Sequence, residues 1–211
     1  MYTLIFETSS SRGILAITRD KQVIFKNELP FGVRDSAELV PVLEMALNKT
    51  QLNFDQIDRI VIGKGPGSFT GIRIGASIAK AISFAKEIPI ISVSSLKSFF
   101  PPEEGHFAVL IDAKASGIYL QKGSRQGALC SYESDYEIHP PERIQDKIES
   151  IPLLICTQKT SLETKLNFTS HQLVELSPHP QQMLFQAMQE PKESYCAGLD
   201  QIDLHYFNKA S

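Results

Sequence analysis

Short apolar runs alternate with polar turns along the first thirty residues. The runs YTLIFE (2–7), GILAITR (13–19) and QVIFKNEL (22–29) are rich in β-branched and aromatic residues, and the polar stretches SSSR and DK separate them. Runs of this length and composition between polar turns are typical of β-strands. The pattern predicts an antiparallel meander of three strands.

The pattern then changes to helical spacing. Asp35 and Glu38 have the spacing of a capping box, and they precede apolar residues that recur at intervals of three and four: Leu39, Val42, Leu43, Ala46 and Leu47. A strand RIVIG, a second helix from about Thr70 to Lys86 and a strand PIISV follow. Three strands, helix, strand, helix and strand is the order of a ribonuclease-H-like unit.

The second half begins like the first. In both halves an apolar strand ends in an acid (Glu7, Asp112), and a glycine (Gly13, Gly117) begins the return strand. The repeat predicts an α/β fold of two tandem ribonuclease-H-like units, as in the class of actin, Hsp70 and sugar kinases. We place the units at 1–104 and 105–211. The second is expected to be reduced, with helices near 141–150 and 180–190 and strands PLLICT and HQLVEL.

The glycine-rich segment GKGPGSFTGIRIG (63–75) joins a predicted strand to the second helix. A Walker A loop places lysine after its last glycine, whereas Lys64 precedes the glycines here. The dinucleotide pattern fails because Thr70 stands where its last glycine would be. The segment is therefore interpreted as a strand-to-helix turn with Ser68 or Thr70 as the N-cap.

The second helix has more apolar surface than one core requires. Small residues follow one ridge (Gly71, Gly75, Ala79, Ser83), and aliphatic residues follow another (Ile74, Ile78, Ile82, Ala85). Such a helix is either enclosed within its own domain or docked on another chain. For a chain of this length we favour docking, with the small-residue ridge allowing close helix packing.

Composition narrows the class of function. The net charge of −3 provides no basic field for nucleic acid, so any nucleic acid is expected to bind only together with a second protein. The three cysteines, Cys130, Cys156 and Cys196, form no CxxC pair, which argues against a disulfide framework and a zinc site. The beginning MYTLIFETSS has no basic region, and no apolar run approaches about twenty residues. We expect a cytoplasmic protein without membrane contact.

The segments GKGPGSFTGIRIG, IFETSS, IPIISVSSL and IDAKASGIY closely resemble the bacterial TsaB (YeaZ) family, and DLHYFNK resembles its closing segment. The resemblance spans at least residues 1–122. It implies a non-catalytic paralogue of TsaD that helps to form threonylcarbamoyladenosine next to the tRNA anticodon. It also implies pairing with TsaD, a TsaE-type ATPase as third component, and a homodimer when the chain is alone.

The family dimerises and pairs with TsaD through the first two helices. The resemblance therefore assigns the partner interface to nine residues of the predicted helices: Leu39, Leu43, Gly71, Ile72, Gly75, Ala76, Ala79, Ile82 and Ser83. By analogy with the fold class, the candidates for nucleotide or anion contact are Glu7, Thr8, Ser9, Arg73 and Asp112. No cofactor of its own is expected, and ATP or ADP would lie at the partner interface.

The chain departs from the family at several positions. The family usually has Asp where this chain has Glu7, and a His-Ser pair where it has Asp35-Ser36. It usually has an arginine and an acid where this chain has Ala115 and Ile118. No two of the five histidines are four residues apart, unlike the metal-binding pair of TsaD. A zinc-peptidase helix is also absent from the sequence. The alternative function is an ATP-binding enzyme of the actin and sugar-kinase class with a site of its own.

Overall fold

The computed structural model describes residues 1–30, 36–133, 136–168, 171–196 and 202–204 of the 211-residue chain. The described residues form two compact units. Unit 1 contains Met1–Ser98 and returns at Ser177 for the described part of 177–204, and unit 2 contains the described part of Phe99–Leu176. Asp35, the predicted capping residue, lies outside the described residues.

Unit 1 is built on a five-stranded sheet in the order β3-β2-β1-β4-β5. Its strands are β1 (Tyr2–Glu7), β2 (Arg12–Arg19), β3 (Gln22–Pro30), β4 (Arg59–Gly63) and β5 (Ile90–Val93). The first three strands pair antiparallel, as the meander predicts, and β1, β4 and β5 are parallel. Buried apolar runs in β1 and β4 match a sheet that is covered on both faces.

Helices cover both faces of this sheet. Helices α1 (Ser36–Thr50) and α2 (Phe69–Lys86) enclose one apolar core with the alternate strand residues Leu4, Phe6, Ile60 and Ile62. Helix α2 begins one residue before the predicted Thr70, and Ser68 is its N-cap, accepting a hydrogen bond from the Gly71 amide at 3.3 Å. Helix α5 (Pro180–Gln189) packs Met183, Leu184 and Ala187 against the opposite face.

Unit 2 repeats the sheet order. Its strands are β6 (Gly105–Asp112), β7 (Ile118–Gln126), β8 (Leu129–Tyr132), β9 (Glu137–His139), β10 (Leu153–Cys156) and β11 (Gln172–Glu175). The order β8-β7-β6-β10-β11 matches β3-β2-β1-β4-β5, while β9 pairs with β7. Helix α3 (Pro141–Ile148) and the five-residue α4 (Lys159–Glu163) take the places of α1 and α2.

The repeated order confirms two tandem ribonuclease-H-like units of the actin, Hsp70 and sugar-kinase class. The second unit is reduced, because α4 has 5 residues where α2 has 18. The division of the chain differs from the predicted units 1–104 and 105–211, since Ser177 and the described residues after it belong to unit 1. The reason is that α5 buries its apolar side on the sheet of unit 1.

Candidate functional site

The glycine-rich turn lies directly over the loop between β1 and β2. A methyl group built on Gly71 would overlap the carbonyl oxygen of Thr8, and one on Gly75 would lie 2.5 Å from the Thr8 Oγ1. A methyl group built on Gly67 would likewise overlap the carbonyl oxygen of Ser9. The glycines are required because the backbone of one segment passes against the other, leaving no room for side chains.

Hydrogen bonds hold this turn in place. The amide of Ser68 donates to the carbonyl of Ser9 at 2.6 Å, and the amide of Gly65 donates to the Ser95 hydroxyl at 3.0 Å. Lys64 continues the parallel pairing, because its amide donates to the carbonyl of Val93 at 2.9 Å. The turn is thus fastened to the carboxyl ends of the strands beside it.

Glu7 ends β1 beneath this turn. Its side chain is fully buried, Oε1 accepts a hydrogen bond from the Ser9 amide at 2.7 Å, and Oε2 faces the α-carbon of Gly63. Burial raises the pKa of Glu7, and hydrogen bonding to Ser9 and Ser95 offsets only part of this shift. No basic side chain is among the groups that shift this pKa, so no salt bridge opposes the effect of burial.

Asp112 holds the equivalent position in unit 2, at the end of β6. Its Oδ1 accepts hydrogen bonds from Lys165 Nζ at 2.6 Å and from the Lys114 amide at 2.9 Å, and its Oδ2 accepts one from Ser161 Oγ at 2.6 Å. Burial alone would raise the pKa of Asp112, but the contacts with Lys165, Ser161 and Lys114 bring it below its usual value. This acid is therefore ionised and paired.

Arg73 lies on the exposed side of α2. Its guanidinium is stacked over the ring of Phe69, 3.7 Å from the centroid, and Phe69 is 47% exposed. This is a cation–π arrangement at the surface. In unit 1, the residues predicted to contact a nucleotide are therefore of two kinds, since Glu7, Thr8 and Ser9 are at most 3% exposed and Arg73 is exposed.

The predicted partner-interface residues are buried within unit 1 itself. Ala79 and Ser83 are 0% exposed and Ile82 is 9% exposed. The whole predicted set is buried in the single chain: Leu39, Leu43, Gly71, Ile72, Gly75, Ala76, Ala79, Ile82 and Ser83. The small-residue ridge is therefore enclosed within its own domain and is not a free docking surface. Gly71 and Gly75 pack on Thr8, and Ala79 packs in the core.

Other residues of the two helices do face outward. Ala81 and Ala85 are exposed, and Ile74 and Ile78 are partly buried at the edge of the core. We call these four residues the outer stripe of α2; their spacing of four, three and four places them on one side of the helix. Beside it, Phe84 is 65% exposed. Phe84 was recognisable in the sequence as an aromatic residue in the polar sector of α2.

Among the residues that the structure describes, no three His, Cys, Asp or Glu side chains are grouped so that they could hold a metal ion. Cys156 is buried, and this burial raises its pKa to about 12, so it remains a thiol. No helix among the described residues is long and apolar enough to span a membrane.

Comparison with known proteins places the chain near two related groups. The family model described as TsaD, tRNA N6-adenosine threonylcarbamoyltransferase, matches residues 34–138. The tRNA threonylcarbamoyladenosine biosynthesis protein TsaB of Buchnera aphidicola (from Acyrthosiphon pisum) is 32% identical over 140 residues, which are 61% of this chain and 63% of that protein. TsaB of Bacillus subtilis is 30% identical over 122 residues, 56% of this chain and 53% of the relative.

The solved structure of YeaZ from Pseudomonas aeruginosa has the same fold. It superimposes with a TM-score of 0.73 at 21% sequence identity, over 89% of this chain and 91% of that one. The sequence matches to the TsaB proteins of Buchnera aphidicola and Bacillus subtilis are shorter, and span 63% and 53% of those proteins.

Proposed function

Because this chain is similar to TsaB proteins in sequence and to YeaZ in fold, we propose that it is the non-catalytic subunit that pairs with a TsaD-type protein to form threonylcarbamoyladenosine on tRNA. The observation that carries the proposal is that the acids at the ends of β1 and β6 both make their contacts within their own unit. Glu7 is enclosed under the glycine-rich turn, and Asp112 is paired with Lys165. This use of both acids within the fold supports the proposal that the chemistry belongs to the partner.

We place the partner on the outer surface of α1 and α2. The residues first expected there are buried, whereas the outer stripe of α2 and the neighbouring Phe84 offer apolar side chains to a second protein. Val40 of α1 is 50% exposed and extends the candidate surface. Removing such side chains from water is favourable by about 25 cal/mol for each Å² of apolar area, from which the entropy cost of association must be subtracted.

Further components follow from the same proposal. We propose a TsaE-type ATPase as the third component, ATP or ADP held at the partner interface, and a homodimer when the chain is alone. With a net charge of −3, the chain would meet tRNA only in the complex. The proposed formation of threonylcarbamoyladenosine uses tRNA and ATP, so the proposed location is the cytoplasm.

Pairing is tested by co-purification with the TsaD-type protein of the same genome. Ala85→Glu and Ala81→Glu introduce a charge on the outer stripe of α2, and an unpaired carboxylate buried in an interface costs several kcal/mol. Both variants are expected to fold but to lose co-elution with the partner. Met188→Glu is the matched control, because Met188 is 53% exposed on α5 and lies outside α1 and α2.

Function is tested in cells that lack their own TsaB. Expression of this chain should restore threonylcarbamoyladenosine, measured by mass spectrometry of digested tRNA, and Ala85→Glu should fail to restore it while Met188→Glu succeeds. Restoration in cells that also lack the TsaD-type protein would contradict a non-catalytic role. Normal pairing of both outer-stripe variants would contradict the proposed surface.

A further inference from the structure

The Asp112 carboxylate has both oxygens occupied by donors from its own unit. The side chain is 1% exposed, and the ammonium of Lys165, itself 30% exposed, lies 2.6 Å from Oδ1. The Ser161 hydroxyl, at 2.6 Å, binds the other oxygen. A carboxylate buried to this degree needs a counter-ion, because transfer of an unpaired charge from water into protein is strongly unfavourable.

We infer that Lys165 is the resident cation of Asp112, and that this pair closes the end of β6 to a metal-bound phosphate. A divalent cation of the Mg²⁺ class binds through anionic oxygens and demands nearly octahedral geometry. At Asp112 it would have to displace an ammonium group, since two cations close to one carboxylate repel each other. The site therefore does not fit the metal-bound nucleotide that a strand-end acid of this fold class suggests.

The donors come from one short segment. Ser161 lies in α4, and Lys165 lies in the turn that follows the helix; both side chains reach Asp112. They are 49 and 53 residues from Asp112 along the chain. The ion pair thus fastens the segment after β10 to the end of β6, in addition to neutralising the acid.

The equivalent acid of unit 1 is closed by different means. Glu7 accepts a hydrogen bond from the Ser9 amide, and the turn at Gly63 and Gly67 covers it and its neighbour Ser9. The closure of Asp112 concerns unit 2 alone, and it does not depend on pairing with a TsaD-type protein.

The inference is tested on the full chain with Lys165→Ala. Breaking a buried ion pair by removing one partner typically lowers the melting temperature of a protein of this size by about 6 °C or more. Lys159→Ala is the matched control. Lys159 is in α4 and forms an exposed pair with Glu163 at 3.8 Å, so its loss should change the melting temperature by less than about 2 °C.

The pH profile separates a resident cation from a general packing role. Because the pKa of Asp112 is lowered, its stabilising contribution in the wild type is present above the unfolded pKa and is lost as pH falls through the folded pKa. Lys165→Ala removes the largest contact that lowers this pKa while the burial that raises it remains, so the variant should lose stability relative to the wild type as pH rises from 5 to 8. The double variant Asp112→Asn with Lys165→Ala should not show that loss.

Ligand binding is tested with Mn²⁺ together with ADP. The melting temperature of the wild type is expected to stay unchanged by this mixture. A rise of more than about 2 °C that disappears in Asp112→Asn would overturn the inference, because it would show an open site. A Lys165→Ala variant that melts like the wild type at both pH 5 and pH 8 would overturn the inference as well.

A variant that keeps the hydrogen bonds covers the case in which Lys165→Ala does not fold. Asp112→Asn retains an oxygen that can accept from Lys114 or Ser161, but it has no charge for Lys165 to neutralise. Its stability should vary less than that of the wild type between pH 5 and pH 3. An unchanged acid profile in Asp112→Asn would contradict the role of Lys165 as the resident cation.

Discussion

Thr8 and Gly75 are packed so closely that a methyl group on Gly75 would lie 2.5 Å from the Thr8 Oγ1. Gly71, one turn earlier in α2, approaches the carbonyl oxygen of the same threonine. The first two turns of α2 are therefore seated on the loop that follows β1. The small-residue ridge is explained by this contact inside the unit.

We predict that Gly75→Ala destabilises the protein by about 1–3 kcal/mol, because the added methyl group requires Thr8 to move. Helix propensity alone predicts the opposite sign, a gain of about 0.5–1 kcal/mol. Denaturant unfolding measures the difference. Ser77→Ala, at an exposed position of α2, is the control for propensity and should be slightly stabilising or neutral.

The double variants identify the contact. Thr8→Ala removes the hydroxyl that meets Gly75, so it should reverse much of the cost of Gly75→Ala. It leaves the carbonyl that meets Gly71, so Gly71→Ala should remain destabilising in the same background. Equal rescue of both glycine variants would show that the close approach to Thr8 is not the cause.

The order of strands and helices along the chain was predictable because burial dictates a periodic pattern of apolar residues. Strands of unit 1 appear as short apolar runs, and the repetition of an acid and a glycine at Glu7, Gly13, Asp112 and Gly117 indicated the second unit. The return of α5 to unit 1 was not predictable. An amphipathic pattern indicates that a helix buries one side, but it does not say which of two sheets that side meets.

The candidate sites were less accessible to sequence reasoning. A ridge of small residues indicates close packing, but the loop at Thr8 satisfies that requirement as well as another chain does. The pairing of Asp112 with Lys165 joins residues 53 positions apart, and neither residue lies in a local motif that marks the other. Long-range pairs of this kind depend on the tertiary structure.

The buried Glu7 predicts an unusual dependence of stability on pH. Its pKa is raised in the folded state, mainly by burial, so its favourable contribution is fully present below the unfolded pKa. That contribution is lost as pH rises through the folded pKa. Wild-type stability should therefore decrease from about pH 4.5 upward over the range between the two pKa values. Glu7→Gln, which carries no charge, should lack this decrease.

A second glutamate provides a control with the opposite sign. The pKa of Glu28 is lowered, chiefly by a hydrogen bond from Lys26, and its side chain is 51% exposed. Its contribution to stability is present above the unfolded pKa and is lost as pH falls through the folded pKa. Glu28→Gln should therefore lose slightly less stability than the wild type at acid pH and should not change the profile at higher pH. Unfolding titrations of both variants at several pH values compare the two. Parallel profiles for Glu7→Gln and the wild type would contradict the burial argument.

Ala79 and Ala81 test which side of α2 belongs to the core. Ala79 is 0% exposed, so Ala79→Glu places a carboxylate among apolar side chains and should cost several kcal/mol, with loss of a cooperative melting transition. Ala81 is exposed, and Ala81→Glu should change stability by less than about 0.5 kcal/mol. Circular dichroism melts measure both. A cooperative melt of Ala79→Glu near the wild-type temperature would mean that this ridge faces solvent.

The edge of the unit 1 sheet at β5 is closed by a late part of the chain. Ile90 and Cys196 exchange two backbone hydrogen bonds, of 2.8 and 2.9 Å, and Cys196 also packs against the core beside α1 and α2. A strand edge with unpaired amides is a template for association with other chains. The pairing therefore protects β5 as well as stabilising unit 1.

We predict that Cys196→Pro opens this edge, because proline has no amide hydrogen to donate to the Ile90 carbonyl. The loss should be about 1–3 kcal/mol in unfolding experiments, since it leaves a backbone acceptor without its partner. Cys196→Ala keeps the amide and is the matched control for the side chain. Hydrogen exchange at the Ile90 amide, which donates to the Cys196 carbonyl, should become faster in the proline variant and stay slow in the alanine variant. Light scattering should show self-association of Cys196→Pro alone, because only that variant exposes the strand edge. Equal exchange rates in the two variants would mean that the backbone pairing does not protect β5.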